Sequence, residues 1–122
     1  MKNHHKGKTG LRRIWYALFY SIDGLSTAFR HENAFRQETF LALILIPIAL
    51  WMPASGTAKA AMIGSVLLVL VVELLNSGIE ALTDLVCLED HALAKRAKDM
   101  GSAAVMLSLL NVLATWLLVI FG

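Results

Sequence analysis

The sequence predicts an all-α membrane protein, with one amphipathic surface helix followed by three transmembrane helices. Hydrophobic residues make up 57% of the 122 positions and charged residues only 16%, a balance that is wrong for a soluble protein. Three separate apolar stretches each reach the length of about 20 residues that a membrane span needs. A chain of this length has room for one domain, so we expect residues 1–122 to fold as a single unit.

The three predicted spans cover approximately residues 36–54, 60–84 and 100–121. Pro47 should bend the first span and Pro53 should end it, because proline removes a backbone donor and clashes with the preceding turn. The second span is apolar apart from an acidic stripe near its end. The third has no charged residue at all, which makes it the clearest of the three.

An amphipathic helix is predicted before the first span, over approximately residues 9–30. Apolar side chains recur there at three- and four-residue steps, which is the period of a helix with one apolar face. Trp15, Tyr16 and Tyr20 add aromatic rings of the kind that favour membrane interfaces. We therefore expect this helix to lie on the cytoplasmic surface of the membrane.

Charge placement predicts the topology. Seven of the eleven lysines and arginines lie at or before Arg36, and three more lie in the predicted loop 89–99. The positive-inside rule places the N-terminus and this loop in the cytoplasm, and the 53–59 turn and the C-terminus outside it. The formal charge of +2 follows from this topology and does not indicate a nucleic-acid partner.

The acidic stripe consists of Glu73, Asn76, Glu80 and Asp84, at spacings that place all four on one face of a helix. A carboxylate inside a span costs roughly 2.5–3.5 kcal/mol on insertion scales. Lipid cannot solvate such a stripe, so it has to face a protein or water-filled interior.

Oxygen ligands and a lysine near the cytoplasmic end of these helices suit phosphoryl transfer. Glu32 and Glu38 fall near the membrane level of the cytoplasmic end of the acidic stripe, where several carboxylates can hold a hard divalent cation. Lys98 can hold phosphate and one carboxylate can act as a base. The sequence contains neither a P-loop nor a dinucleotide-binding glycine motif, and it lacks the protein-kinase motifs.

Two other functions also fit the acidic stripe. Glu73 is a suitable relay for a proton-coupled transporter, because ionisable residues inside a membrane mark such pathways. The stripe would also serve for hydrogen bonding between helices of an oligomer. The residues by themselves leave catalysis, transport and a structural role open.

Three segments closely resemble the bacterial integral-membrane diacylglycerol kinases: ENAFRQE at 32–38, ELLNSGIEA at 73–81 and RAKDMGSAA at 96–104. The resemblance runs from about Arg13 to Trp116. It implies a homotrimer of three-span subunits in the bacterial inner membrane, with sites between subunits at the cytoplasmic interface. The implied reaction uses MgATP to phosphorylate diacylglycerol, giving phosphatidic acid and ADP. Undecaprenol kinase, which has the same fold, is the nearest alternative.

The resemblance also implies roles for individual residues. Glu73 matches the catalytic base, and Glu32 and Glu80 match the carboxylates that bind Mg²⁺. The positions that match ATP contacts are Arg13, Tyr20, Glu32, Asn76, Glu80, Asp84, Glu89, Asp90, His91, Lys98 and Asp99, although the family has an aromatic residue where this chain has Asp90. The positions that match the lipid site are Arg13, Phe35, Arg36, Gln37, Glu38, Trp51, Glu73, Ser102 and Trp116.

Overall fold

A computed structural model describes residues 10–86 and 91–122, and these residues form four α-helices. The helices are α1 (Gly10–His31), α2 (Asn33–Trp51), α3 (Gly56–Val86) and α4 (Ala92–Phe121). By length and composition, α2, α3 and α4 are each able to cross a membrane. The predicted all-α architecture with three candidate spans is therefore confirmed.

The central helix is α3, because α2 and α4 both pack against it. Most of its buried residues recur at three- and four-residue steps and form one face; they are Met62, Ser65, Val66, Val69, Glu73 and Thr83. The partner helices present small buried residues, such as Ala42 and Ala49 on α2 and Gly101 on α4. Small side chains let the helix backbones approach closely, as is common where membrane helices pack.

The corner between α1 and α2 is a single residue, Glu32, with extended backbone angles of φ −115° and ψ 109°. The guanidinium of Arg36 donates hydrogen bonds to the carbonyl oxygens of Phe29 at 2.8 Å and Arg30 at 3.0 Å. Arg36 also bonds to the side chain of Asn33. These bonds satisfy carbonyls that the end of α1 leaves without helical partners, so the corner has a defined geometry. The residues between the predicted surface helix and the predicted first span are thus mostly helical.

The turn between α2 and α3 is shorter than predicted. The helix α2 continues through Pro47 but ends at Trp51 rather than near residue 54, because a residue that precedes proline is driven out of the helical region, as Met52 is here (φ −65°, ψ 148°). The Ser55 hydroxyl accepts a hydrogen bond from the Ala58 amide at 3.1 Å, which caps the start of α3. The Lys59 ammonium donates to the Leu50 carbonyl at 2.8 Å and so holds the two helix ends together.

The prediction of a loop over residues 89–99 is wrong for most of that range, because α4 begins at Ala92. Nδ1 of His91 accepts a hydrogen bond from the Leu93 amide at 3.1 Å and caps the helix. Alanine, leucine, lysine and arginine are strong helix formers, so a segment rich in positive charge can still be helical. Lys95 and Asp99 pair at 2.6 Å, one turn apart on its surface.

Much of the apolar surface of the chain is exposed. The helix α4 buries only Gly101 and Ser108, and α1 buries only Ala28. Large exposed side chains such as Leu113 and Leu118 lie along α4. Lipid tails are as apolar as leucine, so these faces suit a bilayer or further copies of the chain. The position of α1 on a membrane surface stays a prediction.

Candidate active site

A buried carboxylate lies on the central helix at the centre of the site. Glu73 is only 5% exposed, although it sits on a helix able to span a membrane. The amide of Asn76, one turn along the same helix, faces this carboxylate, with Nδ2 3.5 Å from Glu73 Oε2. The carboxylate of Glu38, on α2, lies within electrostatic range of Glu73. The acidic stripe therefore faces the interior at this level, as predicted.

A small cavity of about 60 Å³ adjoins Glu38 between α2, α3 and α4. It is otherwise lined by aliphatic side chains: Leu41, Leu45, Val66, Val69, Leu109 and Val112. Oε2 of Glu38 is buried and has no hydrogen-bond partner among the described residues. A second carboxylate thus lies within electrostatic range of the candidate base, at the polar end of an apolar cavity.

Two contacts join the acidic stripe of α3 to α4, which runs antiparallel to it. The Asn76 side chain packs directly against Gly101, where an added Cβ would overlap Asn76 Oδ1. About two turns further along α3, Asp84 Oδ1 accepts from the ammonium of Lys98 at 2.7 Å. Lys98, a predicted phosphate ligand, is therefore held next to the stripe that carries Glu73.

A groove of about 720 Å³ separates the second half of α1 from α3. Glu32, at the corner, lines it together with Ser77, Gly78 and Ala81 of α3. Glu80 is exposed on α3 next to Ala81. The groove opens beside the acidic stripe, so it offers space for a ligand close to the residues that the sequence singled out.

The chain matches a known protein family along most of its length. The family model for prokaryotic diacylglycerol kinase matches residues 19–120. The chain belongs to the prokaryotic diacylglycerol kinase family. The resemblance predicted from three short segments is thereby confirmed.

Individual members of the diacylglycerol kinase family cover nearly the whole chain. A relative from Pseudomonas aeruginosa named diacylglycerol kinase is 50% identical over 117 residues, which span 96% of this chain and 95% of the relative. The protein of the same name from Escherichia coli strain K12 is 43% identical over 93% of each chain. The one from Haemophilus influenzae is 45% identical over 88% of this chain and 92% of its own length.

The kinase family implies ATP and a divalent metal, and the acidic residues fit that requirement. In the part of the chain that the structure describes, no group of three or more histidine, cysteine, aspartate or glutamate residues is arranged to hold a metal. Mg²⁺ does not need such a cage, since it is usually bound by one or two carboxylates together with substrate phosphates and water. Glu32 in the groove and Glu80, which is exposed on α3, carry carboxylate oxygens of the type that Mg²⁺ prefers.

A single copy of the chain brings together only some of the residues that are predicted to contact ATP. Asn76, Asp84 and Lys98 lie along the contact of α3 with α4. Arg13 and Tyr20 are exposed on α1. His91 lies at the start of α4, where its ring already accepts the capping bond, and its neighbours Glu89 and Asp90 fall outside the described residues.

The residues predicted to line the lipid site are spread along the bundle. Phe35 is buried near the corner. Trp51 is 92% exposed at the far end of α2, about 20 Å along the helix from Glu38. The Trp116 indole donates to the Met62 carbonyl at 3.2 Å and so links α4 to α3. One chain alone does not gather these residues into a single cleft, and Gln37 and Ser102 are both exposed.

The sequence did not reveal the structural roles of two residues near the site. Gly101 was only part of a matching segment, yet it is the buried point where α4 meets Asn76. Arg36 was assigned to the lipid site, and its guanidinium closes the α1–α2 corner. The sequence did offer a signal for Gly101, because a small residue inside a membrane helix often marks the place where a second helix approaches closely.

Proposed function

We propose that this protein is an integral-membrane diacylglycerol kinase, which transfers the γ-phosphoryl group of ATP to the free hydroxyl of diacylglycerol. The products are phosphatidic acid and ADP. The observation that carries the proposal is the match of residues 19–120 to the family model. The relatives from Pseudomonas aeruginosa and Escherichia coli are both named diacylglycerol kinase. The burial of Glu73 in a candidate span supports it, because a lipid hydroxyl has to be reached at membrane depth.

In this mechanism Glu73 is the general base. The carboxylate accepts the hydroxyl proton while the hydroxyl oxygen forms a bond to the γ-phosphorus and the bond to the bridging oxygen of ADP breaks. Such catalysis consists mainly of positioning and of stabilising charge. Asn76 holds one side of the base, and Lys98 brings positive charge to the same helix contact for the phosphates. A small apolar cavity adjoins Glu38, which is the second carboxylate within electrostatic range of the base.

Glu32 and Glu80 would hold Mg²⁺, which when bound with ATP screens the charge of the phosphates. This assignment rests on the family resemblance, on the position of Glu32 in the corner groove and on the exposure of Glu80 on α3. Both residues would have water access at the cytoplasmic end of the bundle, which hydrated Mg²⁺ requires because the ion gives up its waters reluctantly.

The working unit would be a homotrimer in the bacterial inner membrane, with the N-terminus in the cytoplasm and the C-terminus outside it. Support for an assembly comes from α4, which buries only two residues in one chain, and from the dispersed positions of the predicted ATP and lipid contacts. The orientation is supported by the lysines and arginines, which concentrate before Arg36 and near the start of α4.

A phosphorylation assay tests the function. Purified protein in detergent micelles would receive ATP labelled with ³²P at the γ-position, Mg²⁺, and either diacylglycerol or undecaprenol. We expect labelled phosphatidic acid, with undecaprenol a poor acceptor. Label on undecaprenol alone would show that the lipid is misassigned. No label on either lipid would remove the kinase proposal and return Glu73 to a transport or structural role.

The metal assignment predicts a selective change in Glu80→Gln. Glutamine keeps the size of the side chain and removes its charge, so the Mg²⁺ concentration for half-maximal activity should rise while the KM for diacylglycerol stays the same. The measurement is a Mg²⁺ titration of activity at fixed ATP and lipid. An unchanged Mg²⁺ midpoint together with a raised lipid KM would contradict the assignment.

A further inference from the structure

Gly101 stands out among the glycines inside the described helices. A Cβ built on it would overlap Asn76 Oδ1 and lie 3.2 Å from Asn76 Cγ. The glycines inside α1 and α3, which are Gly24, Gly64 and Gly78, have no such atom within 4 Å. Gly101 is also buried, in a helix that buries only one other residue. The lack of a side chain is therefore used at this position and not at the others.

The partner of Gly101 is the amide that adjoins the candidate base. Nδ2 of Asn76 faces Glu73 Oε2 at 3.5 Å, while Oδ1 is buried and accepts no hydrogen bond from the described residues. A carboxylate only accepts hydrogen bonds, so the donating nitrogen has to be the end that faces Glu73. Oδ1 is left facing position 101, in the space that a side chain there would fill.

The contact also limits where the amide can move. On one side the bare backbone of α4 lies against Oδ1, and on the other side the Glu73 carboxylate faces Nδ2. A methyl group at position 101 would occupy the volume that Oδ1 now fills. Either the amide would turn away from Glu73 or α4 would move outward. In both cases the donor would no longer be held toward the carboxylate.

We propose that Gly101 is a positioning residue for phosphoryl transfer: its bare backbone holds the Asn76 amide against the Glu73 carboxylate. This inference rests on the proposed role of Glu73 as the base. It assigns to α4 a part in orienting the base that is separate from the phosphate-binding role of Lys98 one turn earlier. Gly101 itself touches no substrate.

Gly101→Ala tests the proposal in the full-length protein. We expect kcat to fall by about tenfold, because a hydrogen bond to a charged group contributes more than one between neutral groups and local adjustment recovers only part of it. The KM for diacylglycerol should stay unchanged. The matched control is Gly64→Ala, on a span with open space around the new methyl group, which should leave kcat as it is.

A double-mutant cycle with Asn76→Ala separates positioning from a general loss of packing. Beyond the amide, the next atom near an added methyl group is Asn76 Cβ at 3.8 Å, which is ordinary contact, so alanine fits at both positions. We expect Asn76→Ala to lower kcat and Gly101→Ala to cause no further loss in that background. If Gly101→Ala does not accumulate as folded protein, the double mutant still gives the comparison with Asn76→Ala.

Two results would overturn the proposal. One is full kcat in Gly101→Ala; the other is a loss that multiplies with that of Asn76→Ala, which would mean that the glycine acts through packing alone. Failure of the underlying function would look different, because Glu73→Gln would then retain activity. Loss of activity in Glu73→Gln with an unaffected Gly101→Ala would remove only the role of the glycine.

Discussion

Replacing Glu73 with glutamine is expected to lower the rate of lipid phosphorylation by about 10²–10⁴-fold, the usual cost of losing a general base. Glutamine matches glutamate in size, and its side-chain oxygen still accepts a hydrogen bond from Asn76. The protein should remain folded, because Glu73 is only 5% exposed and a neutral side chain is less costly than a carboxylate inside a span. The measurement is kcat with diacylglycerol in detergent micelles.

The companion measurement is thermal inactivation or unfolding of the same variant. A folded protein with the expected loss of kcat places the carboxylate in the chemical step. Glu73→Asp is the informative second variant, since it keeps the charge and shortens the side chain by about one methylene; activity between wild type and Glu73→Gln is expected. Turnover of Glu73→Gln close to that of wild type would disprove its role as the base.

Replacing Lys98 with methionine should raise the KM for ATP by about 10–100-fold. This range follows from about 1.5–3 kcal/mol for a hydrogen bond to a charged group, at roughly 1.4 kcal/mol for each factor of ten. Methionine keeps much of the length and apolar character of the lysine side chain and removes its charge. The KM for ATP is measured at saturating Mg²⁺ and diacylglycerol.

Two controls identify the cause of that change. Lys95→Met removes a lysine from the same helix, one turn earlier and paired with Asp99 on the surface, and should leave the KM for ATP nearly unchanged. Asp84→Asn breaks the ion pair with Lys98 without removing the lysine. Exposed ion pairs contribute only about 0–1 kcal/mol, so the loss of the pair should alter stability little. If Lys95→Met impairs ATP use as much as Lys98→Met, the phosphate-binding role of Lys98 is refuted.

The sequence was sufficient for the three candidate spans and for the face of the central helix that turns Glu73 inward. Lipid offers no partners for polar backbone or side-chain groups, so a span has to appear as a long apolar helix. For the same reason, the carboxylate of Glu73 had to face inward, and it is buried. The family could be recognised from three short segments, and its family model matches residues 19–120.

Helix ends were less predictable, because they depend on local hydrogen bonds. The helix α4 starts at Ala92 because the ring of His91 accepts the capping hydrogen bond. The residues that follow are strong helix formers, a property that hydropathy and charge do not measure. The corner at Glu32 is as short as one residue because the Arg36 guanidinium reaches back to the carbonyls of Phe29 and Arg30. Charge and hydropathy place a residue relative to the membrane without specifying such bonds.

Only the tertiary structure decided which side chains meet across helices. Helical spacing places Asn76 and Asp84 on one face, but it does not say that Gly101 and Lys98 lie opposite them. Nor does it say that Glu38 on α2 comes within range of Glu73. Spacing along a helix is a local property of the chain, whereas the register between two helices follows from how all their side chains pack together.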